Sequence, residues 1–281
     1  ELATGRKNAA RGIRMEKITF TKEHTYSGSL ILVTPEFSLG RIRDRLSLQS
    51  IFPNPEMKAP FLPRVSSQPD ILLEKQAAEA LQGLLADIGC KDEIVAVSGF
   101  RTQGEQEKIW EESMAQNGEI FTRKFVAVPG HSEHQSGYAI DLAENSPKID
   151  FICPRFPYRG IFQRFRERMA DFGFVERYAA LKEGITGIGA EPWHFRYVGY
   201  PHSVIMTHEG MALEEYIGFL KNDTGWGRPY IFREAGNWVE ITYLSLENNR
   251  TRILDVPEGA SCQASGTNEG GVVLSLWRET A

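Results

Sequence analysis

The character of the chain changes near Asn222, and that break constrains its fold more than any other feature. Upstream, helical and strand-like patterns alternate. Downstream, residues 226–281 carry only β-type runs: Tyr230-Ile231-Phe232, Trp238 through Tyr243, Arg252-Ile253-Leu254 and Val272 through Trp277, parted by Gly, Asn and Pro turns. Residues 1–16 are rich in Arg, Lys, Ala and Gly without periodicity and read as a flexible lead-in. The expected organisation is therefore a lead-in over 1–16, a main domain over 17–222 and a small all-β subdomain over 223–281. A chain ending near Asn222 is expected to fold by itself.

Within the main domain, Ser29-Leu30-Ile31-Leu32-Val33 has the composition of a short buried strand. The stretch from Phe52 to Pro63 carries four prolines and reads as a surface connection. Asp70 is a plausible N-cap for a helix whose Leu72, Leu73, Ala77, Ala80, Leu81, Leu84 and Leu85 recur at helical spacing up to Gly89. Ile94-Val95-Ala96-Val97 reads as a central strand ending at Gly99. A second helix starts at Thr102, with Glu105 completing a capping box, and runs to about Gln116. Amphipathic helical patterns over Phe156–Phe172 and Met211–Leu220 follow.

Composition removes several functional classes. Apolar residues at 41% and charged residues at 25% of the 281 positions exclude a wholly disordered chain. The 32 basic residues are outnumbered by 37 acidic ones, which argues against a broad basic surface for nucleic acid. No run approaches the ~18 apolar residues that span a bilayer, and no signal-peptide core is visible. The chain begins at Glu1 rather than Met, which leaves room for an upstream segment. Cys90, Cys153 and Cys262 form neither a disulfide framework nor a C-x-x-C metal knuckle, and read as small buried hydrophobes.

Chemistry concentrates in two clusters. One is His131-Ser132-Glu133-His134-Gln135-Ser136-Gly137-Tyr138-Ala139-Ile140-Asp141; the other is Glu191-Pro192-Trp193-His194. A catalytic zinc takes three protein ligands from His, Asp, Glu and Cys and keeps a fourth position for water. His134, Asp141 and His194 fill that requirement, and Glu191 is left over as a general base, which must reach the attacking water. A regular strand would send Glu191 and His194 to opposite faces, but Pro192 removes a ladder donor and permits an irregular backbone. Loop positions unrelated in space remain the alternative. His24, His202 and His208 sit in ordinary polar or turn contexts.

Ser132-x-His134-x-x-Gly137-x-Ala139-x-Asp141 followed by Glu191-x-Trp193-His194 resembles the signature of the zinc D,D-peptidases, which include VanY-type carboxypeptidases, VanX-type dipeptidases and bifunctional VanXY enzymes. Ser98-Gly99-Phe100-Arg101-Thr102 with Gln106, and Tyr26 through Val33, extend the resemblance over about residues 17–222, closest to the VanY-like group. It implies an α+β fold with a central, mainly antiparallel sheet, packed helices and one Zn²⁺ at an end of the sheet. It also implies His134, Asp141 and His194 as ligands and Glu191 as base. Arg101 would stabilise the oxyanion and hold substrate, and Gln106 and Ser132 would contact the terminal residue of the peptide. Trp193 fits core packing as well as a substrate wall, and the motif register leaves His131 outside the ligand set. Phe100 stands where the family often has Tyr.

The implied substrate is a peptidoglycan stem peptide or precursor ending in D-Ala-D-Ala, from which the terminal D-Ala is removed. An L,D-carboxypeptidase or a D-Ala-D-Ala dipeptidase of the same family are the neighbouring readings. A non-catalytic wall-binding module is the reading from another class, and Glu191 argues against it. A wall substrate favours an exported, anchored enzyme at the cell envelope, whereas the lack of a visible signal suits a cytoplasmic one.

Overall fold

A computed structural model describes residues 14–40, 46–52, 70–234 and 236–278. Most of the expected lead-in and of the proline-rich connection lie outside the described residues. Met15–Phe20, however, forms strand β1, so the lead-in ends by Arg14.

Two short strands, β2 (Leu48–Ser50) and β3 (Leu72–Glu74), pair antiparallel. Helix α1 (Lys75–Asp87) follows directly. The helix expected from Asp70 therefore starts later. Leu73 is fully buried within β3, and Glu74 is the N-cap, its carboxylate accepting from Gln76 N at 2.8 Å.

The central sheet has the order β4 (Ile94–Ser98), β5 (Ala139–Glu144), β7 (Glu191–Tyr197), β6 (Phe174–Tyr178), and every neighbouring pair is antiparallel. Helix α2 (Gln103–Phe125) has the expected capping box, in which Thr102 N donates to Glu105 at 2.7 Å. It runs past Gln116 and is broken at Gly118, whose φ is 79°. The amphipathic stretch after Phe156 forms α3 (Gly160–Arg168) and a 3₁₀ turn that ends at Gly173. Phe156, Phe165 and Phe195 pack edge to face between α3 and the sheet, alongside the apolar side of α1.

A short α4 (Glu183–Thr186) precedes β7, and α5 (His202–Glu209) and α6 (Leu213–Asp223) follow it. The remaining strands are β8 (Tyr230–Glu234), β9 (Asn237–Ser245), β10 (Arg252–Pro257), β11 (Cys262–Gly266) and β12 (Gly271–Arg278). Four of them make an antiparallel sheet in the order β11-β12-β9-β8, and β10 pairs instead with β1.

Strand alternation gives this second sheet two apolar faces. Val239, Ile241, Tyr243 and Val273 meet Leu213, Tyr216, Ile217 and Leu220 of α6, whereas Leu244, Val272, Leu274 and Leu276 meet Phe20, Leu254 and Val256 of the β1–β10 ribbon. The sequence break near Asn222 thus marks a change of secondary structure, while one hydrophobic cluster continues across it.

Of the run Ser29–Val33, Ser29 is half-buried and Leu30 to Val33 are buried as expected, but the run lies in no ladder. Its backbone is satisfied piecemeal: Leu30 N donates to Ser265 Oγ, Leu32 N to the carbonyl of Thr267, and the carbonyls of Ser29 and Ile31 accept from Arg196. Buried amides need partners, and here partners from distant segments replace a neighbouring strand. Cys90 is buried, Cys153 half-buried and Cys262 exposed, so the expectation of buried thiols fails at Cys262.

Candidate active site

Two backbone irregularities assemble the site at one end of the central sheet. Between β4 and β5 the register steps from Ala96↔Leu142 to Ser98↔Asp141, so β4 carries an extra residue there. Between β6 and β7 it steps from Glu176↔Phe195 to Tyr178↔Glu191, a bulge that includes Pro192. Because of that second bulge, Glu191 Oε2 and His194 Nδ1 come within 3.8 Å although they are three residues apart on a strand.

His134 arrives from a different construction. The turn Glu133–Ser136 precedes β5 and closes on Gly137, whose φ is 77°. A Cβ there would press against Leu48 Cδ2 and Glu74 N at 3.2 and 3.3 Å, so both conformation and space require glycine. Gly99 has a similar steric role after β4. A Cβ on it would fall 2.5 Å from the Leu72 carbonyl, and the close approach leaves the Gly99 carbonyl free to accept from His134 Nδ1 at 2.8 Å.

That bond turns His134 Nε2 inward, to 3.0 Å from Asp141 Oδ2. His194 Nδ1 lies 2.9 Å from Asp141 Oδ1, and the two imidazoles stand edge to face with centroids 4.9 Å apart. Ligand atoms of His134, Asp141 and His194 all lie within 4.8 Å of one another, and all three residues are buried. The donor set fits zinc: two imidazole nitrogens and one carboxylate oxygen converge, with a further carboxylate beside them.

Electrostatics point the same way. Burial would lower His194, but hydrogen bonds to Asp141 and Glu133 and the charges of Asp141 and Glu191 hold it up at about 9. Burial also pushes Glu191 up, to about 8. His134 is held down at about 4 by burial and by the Arg101 charge. Burial would raise Asp141 as well, but the two imidazoles overcome it and keep Asp141 well below the usual carboxylate range. Carboxylates around His194 therefore favour positive charge at the centre of the cluster, which a divalent cation supplies.

Ser98, Arg101, Ser132, Tyr178 and Trp193 join the cluster in lining a cavity of about 260 Å³. Arg101 is braced on three sides: Nε donates to Ser98 Oγ at 2.8 Å, Nη2 to Asp141 Oδ2 at 3.1 Å and Nη1 to Gln106 Oε1 at 3.3 Å. Gln106 departs from its expected part. It is fully buried and does not line the cavity, and its amide nitrogen donates to the Ala127 carbonyl, so it braces Arg101 instead of facing a substrate. Trp193 unites both readings offered for it, packing in the core and lining the cavity. His131 donates its Nδ1–H to the Thr34 carbonyl at 2.7 Å and is not in the ligand cluster.

Sequence reasoning missed two buried arginines, Arg177 and Arg196, that pair with Glu133. Glu133, Arg177 and Arg196 lie directly behind His194. Burial would raise Glu133, yet the Arg177 and Arg196 guanidiniums hold its carboxyl far below the ordinary range. The available signal was the placing of Arg177 and Arg196 inside otherwise apolar strand patterns, Phe174 to Tyr178 and Trp193 to Tyr197.

The profile of the VanY family, D-alanyl-D-alanine carboxypeptidases, matches residues 70–200. The chain is 42% identical over 163 residues to the bifunctional D-Ala-D-Ala dipeptidase and D-Ala-D-Ala carboxypeptidase VanXYC of Enterococcus gallinarum, covering 58% of this chain and 83% of that protein. A crystal structure of the vancomycin resistance D,D-dipeptidase VanXYg with a D-Ala-D-Ala phosphinate analog superposes with a TM-score of 0.86 at 42% identity. That match spans 94% of this chain and all of the other, so it extends into the C-terminal sheet. A mutant D,D-pentapeptidase VanY from the VanB-type resistance cassette, in complex with Zn(II), superposes with a TM-score of 0.52 at 27% identity, over 67% of this chain and 98% of that one.

Proposed function

The chain belongs to the VanY family of D-alanyl-D-alanine carboxypeptidases, which are zinc metallopeptidases, and we propose that it removes the terminal D-Ala from peptidoglycan stem peptides or their precursors. The observation that carries this reading is the convergence of His134, Asp141 and His194 on one point, with Glu191 beside them at the cavity wall.

In this reading His134, Asp141 and His194 hold one zinc ion per chain. When bound, zinc polarises the scissile carbonyl and acidifies water at the site. Glu191, beside His194 at the cavity wall, takes the proton of the attacking water and delivers it to the leaving amine. Arg101 donates from its braced guanidinium to the developing oxyanion or to the C-terminal carboxylate of the peptide. Gln106 and Ser98 keep that guanidinium from swinging away. Ser132 and Trp193 form part of the wall against which the terminal residue rests.

The test is release of D-Ala from a pentapeptide ending in D-Ala-D-Ala by the zinc-loaded protein, abolished by chelation. Metal-loaded protein that releases none would remove the proposed substrate. A dipeptidase activity is the second reading, favoured by the 42% identity to a bifunctional relative. Parallel assays of D-Ala-D-Ala, tetrapeptide and pentapeptide separate D,D-dipeptidase, L,D-carboxypeptidase and D,D-carboxypeptidase action. A wall-derived substrate puts the site of action at the cell envelope. Among the described residues no helix is long and apolar enough to cross a membrane.

A further inference from the structure

Behind the ligand cluster lies a layer of buried charge that the proposed chemistry does not use. The Glu133 side chain is fully buried, and so is that of Arg196, while Arg177 is 1% exposed. Arg177 Nε donates to Glu133 Oε1 at 2.8 Å, and Arg196 Nη1 lies 2.7 Å from the same oxygen as an ion pair without hydrogen-bond alignment. Arg177 continues outward, its Nη1 and Nη2 donating to both carboxylate oxygens of Glu214 on α6 at 2.9 and 2.6 Å. Arg196 is anchored on the carbonyls of Ser29, Ile31 and Tyr197.

Both guanidiniums engage Oε1. The other oxygen, Oε2, faces His194 Nε2 at 3.5 Å. On the opposite edge of the same ring, Nδ1 faces Asp141 and Glu191. An imidazole that gives one nitrogen to a metal carries its proton on the other, and the acceptor of that N–H fixes both tautomer and ring orientation. For His134 the acceptor is the Gly99 carbonyl. For His194 the group in that position is Glu133.

We infer that Glu133 is a positioning residue for the metal site: its Oε2 accepts the Nε2–H of His194 and so turns Nδ1 toward zinc, while Arg177 and Arg196 hold the carboxylate in place. The inference rests on the zinc assignment proposed above and adds to it a mechanical link. Glu214 on α6, through Arg177 and Glu133, reaches a ligand on β7. Neutralising one carboxylate would not need two guanidiniums converging on one of its oxygens; that arrangement leaves Oε2 aimed at the ring.

The experiment measures zinc affinity of the full chain by chelator competition, together with the visible spectrum of the Co(II)-substituted protein, which reports ligand geometry. Glu133→Gln is expected to weaken zinc binding 10–100-fold, the usual cost of losing such a partner, and to shift the Co(II) bands. Glu214→Gln removes the outer clamp but leaves Oε2 in place; it is expected to lower the melting temperature and keep zinc affinity within about threefold. If Glu133→Gln fails to fold, Glu133→Asp carries the test, since it keeps a carboxylate for the two arginines but draws it back from His194. Wild-type affinity and an unchanged Co(II) spectrum in the folded Glu133 variant would overturn the inference. Wild-type protein that takes up no zinc would instead sink the zinc assignment, and this inference with it.

Discussion

Asp141 and His194 are directly opposite in the β5–β7 ladder, and Asp141 Oδ1 lies 2.9 Å from His194 Nδ1. Two of the three proposed metal ligands are therefore placed by sheet register. A slip of one residue would send one of them to the other face, so pairing of these strands and assembly of the site are the same event. His134 joins from the turn before β5, held through its outer nitrogen by the Gly99 carbonyl.

Glu191→Gln tests the general base. It keeps size and hydrogen bonding but removes the basic oxygen, so kcat is expected to fall by about 10²–10⁴ with KM and bound zinc little changed. Rates and zinc content measured on one preparation check this, and near-normal turnover or lost metal would reassign the base.

Metal analysis separates His131 from the ligand set. Alanine at His134, Asp141 or His194 is expected to abolish stoichiometric zinc, whereas His131→Ala gives up a bond to the Thr34 carbonyl and should retain it. A zinc-free His131→Ala protein would show the cluster to be drawn wrongly.

Gln106→Leu asks whether Gln106 works through Arg101. Losing a hydrogen bond to a charged group costs about 1.5–3 kcal/mol, so kcat/KM should drop roughly 10–100-fold with zinc unchanged. In an Arg101→Ala background the same substitution should add little. Additive losses would mean that Gln106 acts on the substrate by some other route.

His202 predicts a pH dependence of stability. It is buried between Tyr216 and Ser275, and burial holds it down at about 4 against an ordinary 6.5. As pH falls below 6.5 the unfolded chain takes up a proton that the folded one refuses, so stability is lost between 6.5 and 4 and the loss levels off below. At pH 5 the loss amounts to about 2 kcal/mol. Urea unfolding at pH 7.5 and 5 should show a smaller difference for His202→Gln; an undiminished difference would exclude His202 as its source.

A chain ending at Asn222 would uncover Leu213, Tyr216, Ile217 and Leu220, all 0% exposed and covered by strands β8, β9 and β12. Burying one such side chain contributes about 1.5–3 kcal/mol, so exposing all four costs about 6–12 kcal/mol. That rivals the whole stability of an ordinary domain, about 5–15 kcal/mol. The expected outcome is an insoluble or non-cooperative product. A soluble product that melts cooperatively and binds zinc would show that the first core closes alone.

The residues alone determined what local chemistry can encode. The capping box at Thr102 and Glu105, the apolar run from Ile94 to Val97, the β character after residue 226 and the supply of His134, Asp141, His194 and Glu191 all depend on near neighbours in sequence. Tertiary structure alone decided three further things. The bulge around Pro192 brings Glu191 and His194 together, because a ladder's register belongs to two strands and not to one. Leu30 to Val33 are buried outside any ladder, because their amide partners lie 165 to 235 residues away in Arg196, Ser265 and Thr267. Glu133 is drawn from a loop into the layer behind the ligands, because burying a carboxylate is tolerable only where Arg177 and Arg196 converge on it, and they are brought there by β6 and β7.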